Sequence, residues 1–197
     1  MTNQKSNIIK LTPKSVNDAL EFTATDVRKI IQKVYPSRRL VLSQFTFFND
    51  AGISSPTGTQ MVRGRGCYRL HDLLPIATVI ALKDRGITYK KIQQLPSLIQ
   101  QHSHQIFKIG AGCRVNGFGS NIEISIPGLS TISCTDNKSS SESTIDQFIA
   151  SLDSNKSSGL YWSLDIGKLA SDLQMFASEL FEKNDSANKA SNIAKVA

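Results

Sequence analysis

Gly58-Thr59-Gln60-Met61-Val62-Arg63-Gly64-Arg65-Gly66-Cys67-Tyr68-Arg69 sets short β-capable pieces around a glycine-rich centre. That pattern predicts a hairpin whose tip carries Arg63 and Arg65. Glycine lets a backbone approach closely, and arginine suits a phosphate or the minor groove of a duplex.

Working outward toward the N-terminus, a helix is signalled over residues 23–31. Thr23 or Thr25 can cap it, Asp26 sits in its positive first turn, and Val27, Ile30 and Ile31 share a face. Tyr35-Pro36-Ser37 breaks the pattern. A second helix is expected over about 42–50, rich in aromatics (Phe45, Phe47, Phe48), with Gly52 as its C-cap. Two short helices joined by a polar turn are the skeleton of a helix-turn-helix, and the hairpin then stands as its wing.

Toward the C-terminus a third helix is expected over about 71–85. Leu73, Ile76, Ala77 and Ile80 recur at helical spacing, and Gly86 stops it. Pro75 fits only near a helix start, which places that start no earlier than about His71. A fourth helix begins near Thr88, with Tyr89, Ile92 and Leu95 inward and Lys90 and Lys91 outward. Pro96 interrupts it, and 97–105 forms a further helical segment.

Beyond Gln105 the texture changes. Residues 106–110, 114–118, 121–126, 130–134 and 160–164 are expected as short strands, with Pro127-Gly128 a turn. The Ser-rich stretch 135–158 is expected as a loop. Asp165 opens an amphipathic helix with Ile166, Leu169, Leu173, Phe176 and Leu180 on one stripe, and the tail after Lys183 is expected to fray. The fold class is α+β: a winged helix-turn-helix, a small strand-rich segment and a C-terminal helix. The division expected is a flexible arm over 1–22, a DNA-binding domain over 23–102, a regulatory or dimerisation region over 103–184 and a disordered tail over 185–197.

The charge is uneven. Residues 1–110 carry a formal +10 and residues 111–197 carry −3 of the total of +7. A basic part joined to a mildly acidic part suits a polyanion-binding module with an attached regulatory module. Cys67, Cys113 and Cys134 are odd in number and far apart, which is neither a disulfide framework nor a metal motif. No apolar run is long enough to span a bilayer and no signal peptide is visible, so a cytoplasmic location without membrane contact is expected. His71, His102 and His104 come with no nucleophile or metal signature, so no enzyme and no cofactor are expected.

The order helix, turn, helix, arginine-bearing wing, helix, helix is similar to the N-terminus of the MerR family of bacterial transcription factors. Phe45-Thr46-Phe47-Phe48-Asn49-Asp50-Ala51-Gly52-Ile53 resembles the end of that family's recognition helix. Tyr68 with Asp72 resembles its wing-to-helix junction, and 82–92 resembles its Leu-x-x-x-Gly-hydrophobic-x-x-x-x-Ile signature. The resemblance covers about 80 residues, 23–102. It departs at Thr46 and Gly66, where the family commonly carries arginine.

This resemblance implies a double-stranded DNA-binding regulator acting as a homodimer, with RNA polymerase at a promoter as a further partner. Ser43, Gln44, Thr46 and Phe47 are the groove-facing candidates, Gln44 foremost because its amide can bond an adenine edge twice. Arg38, Arg39, Arg63, Arg65 and Arg69 are the phosphate or minor-groove candidates. The stripe Ile166, Leu169, Leu173, Phe176, Leu180 is the candidate dimer seam. Two other readings stay open: an architectural or excisionase-like DNA-binding accessory protein, and a protein-interaction adaptor that has lost DNA binding.

Overall fold

A computed structural model describes residues 20–38, 40–62, 64–118, 121–134 and 161–194, with side chains as far as Lys183. The arm up to residue 19, Arg39, Arg63, the Ser-rich loop and the last three residues lie outside that set. The fold is α+β with a long C-terminal helix.

Strand β1 (Glu21–Phe22) runs into helix α1 (Ala24–Val34). Of the two candidate caps it is Thr23 that starts α1. Its hydroxyl accepts from the Asp26 amide at 3.3 Å, and Asp26 answers by accepting from the Thr23 amide at 3.2 Å. This reciprocal box satisfies two amide groups that a helix start otherwise leaves unbonded. Val27, Ile30 and Ile31 are buried, as their spacing requires. Tyr35, which ends α1, donates its hydroxyl to the Ala77 carbonyl at 3.1 Å. Burial pushes its phenol up to about 12.

Helix α2 (Ser43–Asp50) buries Phe45 and Phe48, whose rings meet edge to face at 5.8 Å. Gly52, at φ +65°, ends it in a Schellman turn. There the Gly52 amide donates to Asn49 and the Ile53 amide to Phe48, at 3.0 and 2.8 Å. The hairpin follows as β2 (Met61–Val62) and β3 (Arg65–Gly66), paired Met61 with Gly66 and Val62 with Arg65. Gly64 turns its tip at φ +74°. Strand β4 (Tyr68–Arg69) then pairs antiparallel with β1. Glu21 and Phe22 therefore belong to the folded body and not to a flexible arm.

Helix α3 (Leu70–Asp84) is the centre of the molecule, buried without interruption from Asp72 to Leu82. A helix apolar on every side has to be wrapped by others. Pro75 lies at its sixth position, one residue deeper than a start at His71 would place it. The Asp72 carboxylate, which accepts from the Arg69 amide at 2.8 Å, sets the start instead.

The next segment departs from expectation twice. Residues Tyr89–Ile92 form a single 3-10 turn, and Pro96 does not interrupt a helix but stands in the first turn of α4 (Leu95–Ile109). Of the expected strand 106–110, residues 106–109 continue that helix and Gly110 caps it. Leu95, Ile99 and Ile106 recur at helical spacing and are fully buried. Packing on α3 overrides the local β preference of isoleucine and phenylalanine.

A four-stranded antiparallel sheet completes the fold in the order β7-β6-β5-β8. Its strands are β5 (Arg114–Phe118), β6 (Asn121–Ser125), β7 (Ile132–Ser133) and β8 (Tyr161–Asp165). Val115, Ile124 and Leu164 align across it and face the core, while Asn116, Glu123 and Ser163 align on the opposite face. Strand β8 feeds directly into α5 (Ile166–Ala194). The polar residues after Lys183 continue this helix as far as Ala194 and do not end it.

Helix α5 packs on α1, α3 and α4. Ile166, Leu169 and Leu173 are buried there, and Phe176 and Leu180 are half-buried. The stripe expected as a dimer seam thus closes the chain's own core. One contiguous apolar cluster runs from Phe22 to Ala177 across the two expected regions. Periodicity identified the stripe correctly but says nothing about which surface covers it.

Candidate nucleic-acid interface

Helix α2 owes its orientation to its buried side. Phe45 and Phe48 plug into the core, Phe45 against the Tyr68 ring at 5.9 Å, and Tyr68 returns a hydrogen bond to Asn49 at 3.3 Å. With that face anchored, Ser43, Gln44, Thr46 and Phe47 are all exposed on the other. Phe47 is 48 % exposed and leans edge-on against Tyr89 at 6.1 Å. The Tyr89 hydroxyl in turn bonds the Ala51 carbonyl at the end of α2. Gln44 is not idle: its side-chain oxygen accepts from the Val41 amide, just ahead of its own helix, at 2.9 Å. A two-point contact to adenine would have to displace that exposed bond.

The hairpin is fastened at its root by an acid the sequence reading did not single out. The Glu21 carboxylate accepts from the Thr59 amide, the Thr59 hydroxyl and the Gln60 amide, at 2.7, 2.8 and 2.8 Å. These bonds, with Arg69 at 3.8 Å, hold its pKa below the usual glutamate value. A depressed carboxylate pKa stabilises the fold above the unfolded value, and that contribution is lost as pH falls through the folded one. The hairpin should therefore loosen on acidification below the ordinary carboxylate range. Glu21→Gln should loosen it already at neutral pH, read as faster tryptic cleavage at Arg65. Cleavage as slow as in the parent protein would refute this role.

A second acid fixes the loop before the hairpin. Asp72, fully buried, accepts from the Thr57 amide at 3.0 Å, the Thr57 hydroxyl at 2.8 Å and the Gln100 amide group at 2.7 Å. Its appearance four residues after Tyr68 was legible, but its partners at 57 and 100 were not.

The arginines separate on inspection. Arg65 is exposed on β3 and remains available to an anion. Arg38 pairs with Asp84 at the end of α3. Arg69 lies in strand β4 with its head toward Glu21, its Nε buried and its side chain 30 % exposed. Arg39 and Arg63 lie outside the described residues. Helix α2 itself carries no basic side chain.

Between the first turn of α1, the start of α2 and the hairpin lies a groove of about 450 Å³. Thr23, Thr25, Leu42, Val62 and Arg65 line it. Leu42, Met61 and Val62 are 40 %, 68 % and 41 % exposed, an apolar component absent from the sequence-derived site. Their signal was available: apolar residues at the ends of two elements otherwise placed on the surface.

Among the described residues no cluster of three or more His, Cys, Asp or Glu is placed to hold a metal ion. Cys67, Cys113 and Cys134 are buried free thiols, and burial pushes Cys134 up to about 12. Among the described residues no helix is long and apolar enough to cross a membrane. Compared with known proteins, the chain matches no family model and no curated sequence.

Proposed function

We propose that this chain is a sequence-reading, double-stranded DNA-binding regulator, cytoplasmic and acting as a homodimer. The observation that carries the reading is the pairing of an exposed polar face on α2 (Ser43, Gln44, Thr46) with an adjacent rooted hairpin bearing exposed Arg65. In this reading α2 enters the major groove and the hairpin grips phosphates or the minor groove alongside. Arg38 and Arg69 each face an acid, Asp84 and Glu21, which weakens the phosphate-gripping set and strengthens the need for two copies to reach useful affinity. Because the upper stripe of α5 is spent within its own chain, the dimer surface belongs to what the fold leaves uncovered. Phe181, half exposed on the helix that continues to Ala194, is the candidate there.

A duplex from upstream of the chain's own gene, compared with a scrambled duplex across a salt series, tests this directly. Tighter binding to the native duplex is expected, with a log–log salt slope of about −0.9 per phosphate contacted. Replacing Arg63 and Arg65 together by alanine should flatten that slope by about 2. A slope unchanged by the double substitution would remove the hairpin from the interface.

The adaptor reading also has an observation in its favour. Leu42, Phe47, Met61 and Val62 place exposed apolar surface on the same face, which suits a protein partner as well as thymine methyls and sugars. Absence of binding to either duplex at low salt would put that reading first.

A further inference from the structure

We propose that the hollow between α2 and the last turns of α3 is a binding site for a small aromatic carboxylate, a ligand of one ring and one acid group. The site stands without the DNA reading, and only its effect on a duplex rests on that reading.

The hollow has a volume of about 180 Å³. Leu40, Phe48, Val79 and Ile80 make its floor, and none of them is more than 7 % exposed. Phe47, 48 % exposed, stands as a wall, so a bound ring meets an aromatic side chain as well as aliphatic ones. A cavity of about 150 Å³ holds one benzene ring. This hollow therefore has room for a single ring and little more, and the packed floor fixes that limit.

The polar groups at the mouth decide what the ring carries. Arg38, Gln44, Lys83 and Asp84 are the exposed polar residues there. Their acceptors are already engaged. The Asp84 carboxylate pairs with Arg38, and Gln44 Oε1 accepts from the Val41 amide at 2.9 Å. The Leu82 and Lys83 carbonyls that end α3 are taken as well, by the amides of Arg85, Gly86 and Ile87 at 3.0 to 3.1 Å. Two donors remain over: the Gln44 amino group and the Lys83 ammonium, which meets no acid among the described residues. Arg38 and Asp84 cancel each other's charge, so Lys83 leaves the mouth positive. Free donors and a positive charge select a ligand whose polar end accepts and is negative. A carboxylate meets both conditions, and its bond to an ammonium is charge-assisted.

Titration of the full chain with benzoate, followed by the methyl signals of Leu40, Val79 and Ile80, tests the site. Those signals should shift together and saturate, with a dissociation constant in the millimolar range that suits so few atoms. Benzyl alcohol keeps the ring and loses the charge, and should bind about tenfold more weakly. Acetate keeps the charge and loses the ring, and should leave the same signals unmoved. Lys83→Gln, at an exposed position, should bring benzoate down to the level of benzyl alcohol while benzyl alcohol binds as before. Absence of a saturable shift, equal affinity for benzoate and benzyl alcohol, or benzoate binding unchanged in Lys83→Gln would each overturn the proposal.

Gln44 and Phe47 belong both to the hollow and to the α2 face assigned above to DNA. At constant ionic strength, saturating benzoate should therefore weaken binding to the native duplex about fivefold. A site that fills while no duplex binds, with or without benzoate, would leave the hollow standing and remove the DNA reading alone. Duplex affinity that stays the same with the site full would overturn the coupling.

Discussion

Gly167→Ala is expected to lower the unfolding midpoint by about 10 °C. Gly167 stands in the first turn of α5, where that helix crosses the end of α4. A Cβ built there falls far inside 3.0 Å of the Gly110 carbonyl oxygen, and backbone cannot swing aside as a side-chain tip can. The Ile166 and Gly167 amides both donate to the Cys113 carbonyl at 3.1 Å, so the helix start is held on the opposing turn. Separating the two would also lift Leu169 and Leu173 from the core. Overpacking of this kind costs about 3 kcal/mol, which at this chain length converts to the midpoint shift given. Gly117→Ala offers the comparison. There the added methyl meets the ring of Trp162, a half-buried side chain that can move, so a cost of about 1 kcal/mol is expected. Thermal unfolding of both variants decides it: equal shifts, or a smaller one at Gly167, would contradict the close helix crossing.

Asp72→Asn should cost about 3 kcal/mol although it changes one atom. The arithmetic is one of donors. The Arg69 amide, the Thr57 amide and hydroxyl, and the Gln100 amide group all point hydrogens at the two Asp72 oxygens. An asparagine keeps one acceptor oxygen and turns its own N–H groups toward these donors. Donors that lose their acceptor on the fully buried Asp72 side chain are penalised, because water reaches that side of them poorly. The consequence is local before it is global, since Thr57 leads into the hairpin and Arg69 out of it. Urea unfolding should show the loss of stability. Tryptic cleavage at Arg65 should accelerate at urea concentrations where α3 and α4 are still folded. A variant as stable as its parent would mean that the cluster is fed by water and not by Asp72.

These two positions also show where the sequence stops being readable. The caps were legible because they are local. Thr23 with Asp26 announces the start of α1, and Gly52 and Gly86 announce the ends of α2 and α3, since each is a bond or a dihedral within a few residues. The same holds for the hairpin, whose turn at Gly64 fell where the glycines put it, and for four of the five expected strands. The exception, 106–110, was misread because isoleucine and phenylalanine favour strands in isolation while their spacing also serves a helix packed on α3. The outward face of α2 was legible too. Once Phe45 and Phe48 are assigned to the core, helical geometry sends Ser43, Gln44 and Thr46 the other way.

The sequence alone therefore determined the α+β class, most element boundaries, the hairpin and the exposed face of α2. Each rests on short-range physics: periodicity, caps and glycine dihedrals. Only the tertiary structure decided what covers the α5 stripe, which arginines stay available, and which acids root the hairpin. Arg38 meets Asp84 and Glu21 meets Thr59 across dozens of residues of chain. An apolar stripe is equally content against a second copy or against its own α1 and α3. Burial is non-directional, so a stripe specifies that it must be covered and leaves the choice of cover to the packing of the whole chain.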